Sequence, residues 1–209
     1  AWIETAGQGL SAPLQEGSDY SVPSYGGKLL YHLSFGGDDA RERCMSLVRI
    51  NRFAVVVMDR DRGPESEKAI SDTKRRIQEE ATADGAHRIA VVTEGREIEN
   101  DVPNDLFLTA CAELLRIDAA LVLDLELTGN MRYPEEVVQH LVAKEELDEA
   151  AAEAARRRFR DGKVELAQHV VRLSKELERS MPVPSYISDI VDLLKRARCE
   201  GEDYSVQQS

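Results

Sequence analysis

The 209-residue chain holds 27 Lys and Arg against 39 Asp and Glu, a net charge of −12, and is 42% hydrophobic. That length buries a real core as one large domain or a domain with an appendage, and the acidic balance argues against indiscriminate nucleic-acid binding. No apolar run nears the roughly 20 residues that span a bilayer, no signal-peptide pattern opens the chain, and Cys44, Cys111 and Cys199 lack disulfide or zinc spacing. A soluble cytoplasmic protein is expected.

In chain order, residues 1–7 read as the tail of a helix, followed by a loop through Gly9, Pro13 and Gly17. Residues 20–25 form a short strand, at a sheet edge because of Pro23. A short helix over 28–35 is broken at Gly36-Gly37-Asp38-Asp39, and a further helix covers 40–50. The apolar run Ala54-Val55-Val56-Val57-Met58 reads as a strand covered on both faces, since it lacks polar alternation. A helix over 65–82 has Pro64 near its start and Ile70, Thr73 and Ile77 at helical spacing, and 88–93 is the next strand. This alternation is the pattern of an α/β protein with a mainly parallel sheet flanked by helices.

After Pro103 the texture becomes helical, with helices over 105–116, 134–141, 145–158, 163–179 and 184–198. Residues 119–127 fit strand or helix, and 200–209 read as a frayed tail.

The chemistry gathers where the two strands end. Asp59 and Asp61 follow the first strand, and Glu97 and Glu99 follow the second. Residues two apart on a strand share a side, so Asp59 and Asp61 are expected together with Arg60 turned away. Ligand sites in parallel sheets lie beyond the carboxyl ends of strands. Carboxylates crowded there repel unless a cation sits between them, and Mg²⁺ or Mn²⁺, which prefer oxygen ligands, suits that place. The plainer alternative is turn chemistry, in which Asp61-Arg62-Gly63-Pro64 stops the strand and caps the next helix.

Other features carry less. The Arg156-Arg157-Arg158-Phe159-Arg160 cluster follows an acidic stretch, so the two are either complementary ends of one helix or a phosphate-binding face. Asp124 and Glu126 suggest a third acidic pair but read as a solvated face, and His32, His87, His140 and His169 are too scattered for a ligand set. Gly26-Gly27-Lys28 is no nucleotide-binding loop, because Val22 stands where glycine is needed and Leu29 where a hydroxyl is needed. A serine hydrolase is excluded by the lack of Gly-x-Ser-x-Gly.

Several segments together resemble a known family. These are Tyr25-Gly26-Gly27-Lys28-Leu29-Leu30 with His32-Leu33, Leu47-Val48-Arg49-Ile50-Asn51-Arg52 ahead of Asp59 and Asp61, and Thr73-Lys74-Arg75-Arg76-Ile77. With Thr93-x-Gly95-Arg96-Glu97-Ile98-Glu99-Asn100 and Asp161-Gly162-Lys163-Val164, they resemble the Toprim and C-terminal portion of an OLD-family (overcoming lysogenization defect) nuclease. The resemblance implies a Toprim-like α/β domain over 1–101, a helical region over 102–199 that brings a lysine back to the active site, and a flexible tail over 200–209. It implies a metal-dependent DNA endonuclease using two divalent ions, Mg²⁺ or Mn²⁺, about 3.5–4 Å apart. Asp59 and Asp61 are then metal ligands, Glu97 and Glu99 hold metal or support its ligands, and Lys163 stabilises charge on the scissile phosphate.

The family carries an ATPase domain ahead of the Toprim part, and none is encoded here. The Toprim glutamate has no counterpart either, since Glu16 directly precedes the Tyr20 strand with no room for the intervening helix. The chain is therefore expected to be a C-terminal fragment whose first strand and key glutamate lie upstream. Asp101-Val102 also departs from the aromatic that often follows Glu-Asn. Two other classes stay open: a non-catalytic Toprim-like module that docks DNA or protein, and a phosphatase-type enzyme with Asp59 as nucleophile.

Overall fold

The computed structural model describes residues 2–7, 12–22, 33–34, 45–46, 52–61, 70–83, 85–179 and 181–206. The chain forms two compact units: Ala1–Met58, Lys68–Val92 and Val183–Ser209 make the first, and Asp59–Glu67 and Thr93–Pro182 the second. The final helix thus belongs with the strands rather than with the preceding helices.

The first unit holds α1 (Trp2–Ala6), β1 (Leu33–Ser34), β2 (Met45–Ser46), β3 (Ala54–Met58), α2 (Asp72–Thr82), β4 (Arg88–Val92) and α7 (Ser185–Val206). β3 and β4 pair in parallel, from Ala54 opposite Arg88 to Met58 opposite Val92. The helix between them, α2, makes the crossover that a parallel pair requires. Ser71 caps α2 by accepting the Lys74 N–H at 3.4 Å; of the helix expected over 65–82, residues 65–69 lie outside the described residues. Ile77 and Ala81, four apart on α2, are buried with Met58 beside Ala54, Val56, Ala90 and Val92.

The intervening residues Val55 and Val91 pack instead with Leu14 and with Tyr186, Ile187, Ile190 and Val191 of α7. Helices therefore cover both faces of the pair, as the unbroken apolar run implies, although Val57 keeps 41% of its surface exposed. The 12–20 loop is fastened to α7 by Arg198, which donates to both Asp19 carboxylate oxygens, at 3.1 and 2.7 Å, and to the carbonyls of Ala12 and Pro13.

Four local expectations change in this unit. Residues 33–34 and 45–46, read as helical, are extended and pair in parallel; the rest of 28–35 and 40–50 lies outside the described residues. Runs that short carry too little periodicity to separate helix from strand. Among the described residues Tyr20 makes an isolated bridge to Glu16 in place of a strand, and residues 23–25 lie outside the described residues. The tail expected from residue 200 is helical through Val206, and Glu200 pairs with Arg52 at 2.7 Å.

The second unit is built from helices α3 (Asn104–Leu115), α4 (Tyr133–Ala143), α5 (Glu149–Asp161) and α6 (Lys163–Glu176), with 3₁₀ turns at Ile98–Asp101 and Ala119–Leu121. α3 is its centre: Leu106, Phe107, Leu108, Ala110, Cys111, Ala112 and Leu114 are all buried. They pack with Val137, Val138 and Leu141 of α4, Phe159 of α5, and Leu166, Val170 and Leu173 of α6. Removing a side chain such as Phe107 from such a core costs about 3–5 kcal/mol.

Boundaries in this unit follow local chemistry. Glu145, at φ 60°, ends the preceding helix, and Asp148 accepts the Ala151 N–H at 2.7 Å, so α5 begins at Glu149 rather than 145. Residues 119–127, open between strand and helix, form a 3₁₀ turn capped by Asp118 and then non-helical turns. Asp124 pairs with Lys144 at 2.7 Å and His140 at 3.1 Å on the surface, as a solvated face implies.

Candidate metal centre

The candidate acids follow the two strands: Asp59 comes directly after β3, and Glu97 and Glu99 lie at the 3₁₀ turn beyond β4. β3 stops at Met58, so side-chain alternation no longer relates Asp59 to Asp61, and the expectation that they share a strand face is corrected. Asp61 instead turns into the left-handed region at φ 64°, a conformation Asp tolerates better than most residues. Its N–H donates to the Arg96 carbonyl at 2.8 Å, while the Arg96 N–H donates to the Gly129 carbonyl at 2.9 Å.

Thr93 stitches the two acidic segments together. Fully buried, its hydroxyl accepts the Arg60 N–H at 3.0 Å and donates to the Gly95 carbonyl at 2.9 Å. The Arg60 guanidinium Nε returns the link by donating to the Thr93 carbonyl at 3.0 Å. Asp59 completes it from the other side, its Oδ1 accepting the Ile98 N–H at 2.9 Å.

The second segment is held by Asn100. Its Oδ1 accepts the Glu97 N–H at 2.6 Å and its Nδ2 donates to the Met131 carbonyl at 3.1 Å. Gly95 lies so close that a Cβ there would stand 2.5 Å from the Asn100 Cβ, which excludes any side chain without rearrangement. The Gly95 and Asn100 of the sequence motif are therefore a packing pair that fixes Glu97 and Glu99 between them.

Lys163 opens α6 immediately after Gly162, where a Cβ would meet the Arg158 carbonyl at 2.7 Å and Leu114 Cδ1 at 3.1 Å. This close joint between α5 and α6 carries the ammonium to 3.6 Å from Glu99 Oε1, across a long stretch of sequence. The Lys163 side chain is 65% exposed and Glu99 only 16%. A second cation, Arg132 at the start of α4, reaches to 3.8 Å from Glu97.

The electrostatics are those of excess acid. Burial, then the charge of Glu99 and more weakly that of Asp61, raises the Asp59 carboxyl above its ordinary range, against the Ile98 hydrogen bond and Lys163. Burial, Glu99 and Asp59 raise Glu97 against Lys163 and Arg132. Glu99 Oε2 is buried with no hydrogen-bond partner among the described residues. A buried carboxylate oxygen left without a partner is costly, and a cation relieves both that cost and the repulsion.

The donor set, hard oxygens with surplus negative charge and one orphaned oxygen, fits Mg²⁺ or Mn²⁺ chemically. Among the described residues, however, no three His, Cys, Asp or Glu side chains converge tightly enough to enclose an ion. The structure thus brings Asp59, Glu97, Glu99 and Lys163 into mutual electrostatic reach, and holds Asp61 beside them through its backbone.

Thr93, Asn100, Gly162 and Arg132 take roles that sequence reasoning left unassigned. The first two lie within the quoted motif, and their polar side chains in a tight acidic turn were a usable signal. Arg132 had none, because only the tertiary fold brings it to Glu97. Two arginines of the Arg156–Arg160 cluster are taken up internally: Arg156 holds Glu135 with contacts of 3.0–3.2 Å and Arg158 holds Glu165 at 2.6 Å, while Arg157 is exposed and Arg160 stays 3.9 Å from Glu153. That matches complementary helix ends, with Glu149 in the first turn of α5 and Arg158 and Arg160 in its last.

Comparison with protein-family models, curated proteins and solved structures gave no match for the chain. Among the described residues no helix is long and apolar enough to cross a membrane.

Proposed function

We propose that the chain carries acidic residues of the active centre of a divalent-metal-dependent DNA endonuclease, Toprim-like in fold and related to the OLD-family nucleases, with an ATPase domain as its partner. One observation carries the reading: three carboxylates from two strand ends, Asp59, Glu97 and Glu99, share one electrostatic neighbourhood with a single lysine, Lys163, drawn in from a distant helix. Crowded, partly buried acids of this kind gather at functional sites, and a cation among them would relieve their repulsion.

Asp59, Asp61, Glu97 and Glu99 would supply the oxygens that hold the ion, drawn together by its charge from positions where no three yet converge among the described residues. When bound, Mg²⁺ or Mn²⁺ lowers the pKa of water and offsets charge on the leaving oxygen of a phosphodiester. Lys163 presents its ammonium to the non-bridging oxygens, whose charge grows as the water oxygen bonds to phosphorus and one ester P–O bond breaks. The products are a hydroxyl and a phosphomonoester. Thr93 and Asn100 act through the backbone, fixing the carboxylates so that little reorganisation accompanies the step.

Cleavage of supercoiled plasmid in Mg²⁺ or Mn²⁺ tests the reading. Wild-type protein cuts, Asp59→Ala abolishes cutting, and Lys163→Ala lowers the rate by about 10²–10³, the usual loss for one transition-state charge donor. Normal cutting by Lys163→Ala would remove the lysine from the mechanism. A phosphoryl group trapped on Asp59 would instead favour the phosphatase class.

The second reading, a non-catalytic Toprim-like module that docks DNA or protein, draws on the lack of three convergent ligands among the described residues. It predicts metal-independent binding with no cleavage in either metal.

A further inference from the structure

Cations on this surface fall into two kinds. Arg156 and Arg158 are spent on carboxylates within hydrogen-bond distance, and Arg172 likewise holds Glu113 and Glu176. Arg132 is different: its Nε stays 3.8 Å from Glu97 Oε1, beyond hydrogen-bond range, and its side chain is 61% exposed; Arg160 is held as loosely, 3.9 Å from Glu153 and 67% exposed, but the acid it faces is not one of those that follow the strands.

The local sequence explains the posture. Arg132 is the residue before α4, in extended conformation at φ −88°, ψ 94°, and its side chain does not cap the helix. Pro134 fixes the first turn without needing an N–H partner there. Glu135, the other acid whose charge Arg132 feels, is already gripped by Arg156 at 3.0–3.2 Å. The guanidinium fork is thus attracted to the acidic centre without being neutralised by it.

Lys163 stands in the same relation to Glu99, 3.6 Å away and 65% exposed, from the start of a different helix. Glu97 and Glu99 therefore each have one mostly exposed cation at their rim. A polyanion approaching a surplus of carboxylates needs such handholds, and in a protein of net charge −12 they must be local. Arg in particular presents a planar fork matched to phosphate oxygens.

We infer that Arg132 is a second DNA-contacting residue, binding a backbone phosphate that flanks the scissile one faced by Lys163. This rests on the nuclease reading and adds a division of labour: Lys163 serves the chemical step and Arg132 serves substrate binding.

The test compares wild-type protein, Arg132→Gln and Arg132→Lys in steady-state plasmid nicking with Mn²⁺, and in salt-dependent binding to a fluorescent DNA duplex. Arg132→Gln is expected to raise KM about tenfold, the loss of a charge-assisted contact, with kcat within about twofold. The slope of log K against log salt falls in magnitude by about 0.9, one phosphate contact, and Arg132→Lys keeps the wild-type slope. An Arg132→Gln protein with unchanged KM and salt slope, while wild type cuts normally, overturns this assignment alone. A fall in kcat with KM unchanged also overturns it, because Arg132 would then only shape Glu97. Failure of wild type to bind or cut DNA removes the nuclease reading, and this inference falls with it.

Discussion

Two charged clusters of the helical unit, one on α3 and α6 and one at the acidic loops, use similar residues to opposite effect. On α3 and α6, Glu113 accepts from Arg172 and pairs with His169 at 2.6 Å, while Glu165 takes Arg158 at 2.6 Å and lies 3.7 Å from His169. The Arg172 hydrogen bond holds the Glu113 carboxyl below its ordinary range, and Arg158 does the same for Glu165. At the acidic loops, burial and neighbouring acids push Asp59 and Glu97 the other way. The arginines of the matched cluster close on their acids within hydrogen-bond distance, whereas the surplus acids have their cations at 3.6 and 3.8 Å. The first cluster satisfies itself as scaffold does; the second keeps an acidic surplus, the observation on which the proposed metal site rests.

If the acidic loops are held by backbone and by Asn100 rather than by charge pairing, the largest disruption should come from a neutral substitution. Gly95→Ala places a Cβ 2.5 Å from the Asn100 Cβ, 3.2 Å from its Cγ and 3.3 Å from Oδ1. Asn100 cannot retreat without losing its bonds to the Glu97 N–H and the Met131 carbonyl. Overpacking of this kind costs about 1–3 kcal/mol. Thermal melts should show a drop of roughly 2–4 °C per kcal/mol, together with loss of plasmid cleavage. A wild-type melting temperature would mean that the loop yields freely and that Gly95 has no structural role.

How much of this was readable in advance depended on range. The β3 and β4 strands and the five main helices after Pro103 could be read because each carries a long apolar pattern, such as Leu166, Val170 and Leu173 on α6. Asp59, Glu97 and Glu99 could be singled out because acids at strand ends stand out against the apolar runs before them. At 33–34 and 45–46 the sequence suggests helix because two-residue strands leave no periodic trace. The side-chain alternation assumed for Asp61 failed because it needs the strand to continue, and the left-handed turn depends on tertiary bonds to Arg96. Arg132 was invisible for the same reason: its partner is distant in sequence and chosen by the packing of α4.

A substitution that relieves the acidic surplus should stabilise the protein while removing its proposed activity. Because the folded state raises the Asp59 and Glu97 carboxyls, it holds their protons more tightly than the unfolded chain. Their stabilising contribution is full below the unfolded carboxylate range, about 4, and is lost as pH rises through the folded values. Asp59→Asn keeps an oxygen for the Ile98 N–H and removes the repelled charge. At pH 7 it should gain about 0.5–2 kcal/mol, as charge removal at strained functional sites commonly does. The gain should vanish below about pH 4. Denaturant unfolding at both pH values decides it; a less stable variant at pH 7 would show that Asp59 is a satisfied structural acid.

The matched cluster makes the opposite and smallest prediction. Arg172 and His169 lower the Glu113 carboxyl, so the folded state favours its charged form. That stability is present above the unfolded glutamate value, about 4.3, and fades as pH falls through the lower folded one. Glu113→Gln removes the charge, but Arg172 keeps Glu176 at 2.6 Å and His169 keeps Glu165 at 3.7 Å, so part of the network survives. For a partly exposed ion pair the loss should be about 0.2–1 kcal/mol at pH 7, shrinking at acid pH, with DNA cleavage unchanged. Asp59→Asn and Glu113→Gln thus move stability in opposite directions at neutral pH, and a shared sign would mean that the two clusters do not differ in kind.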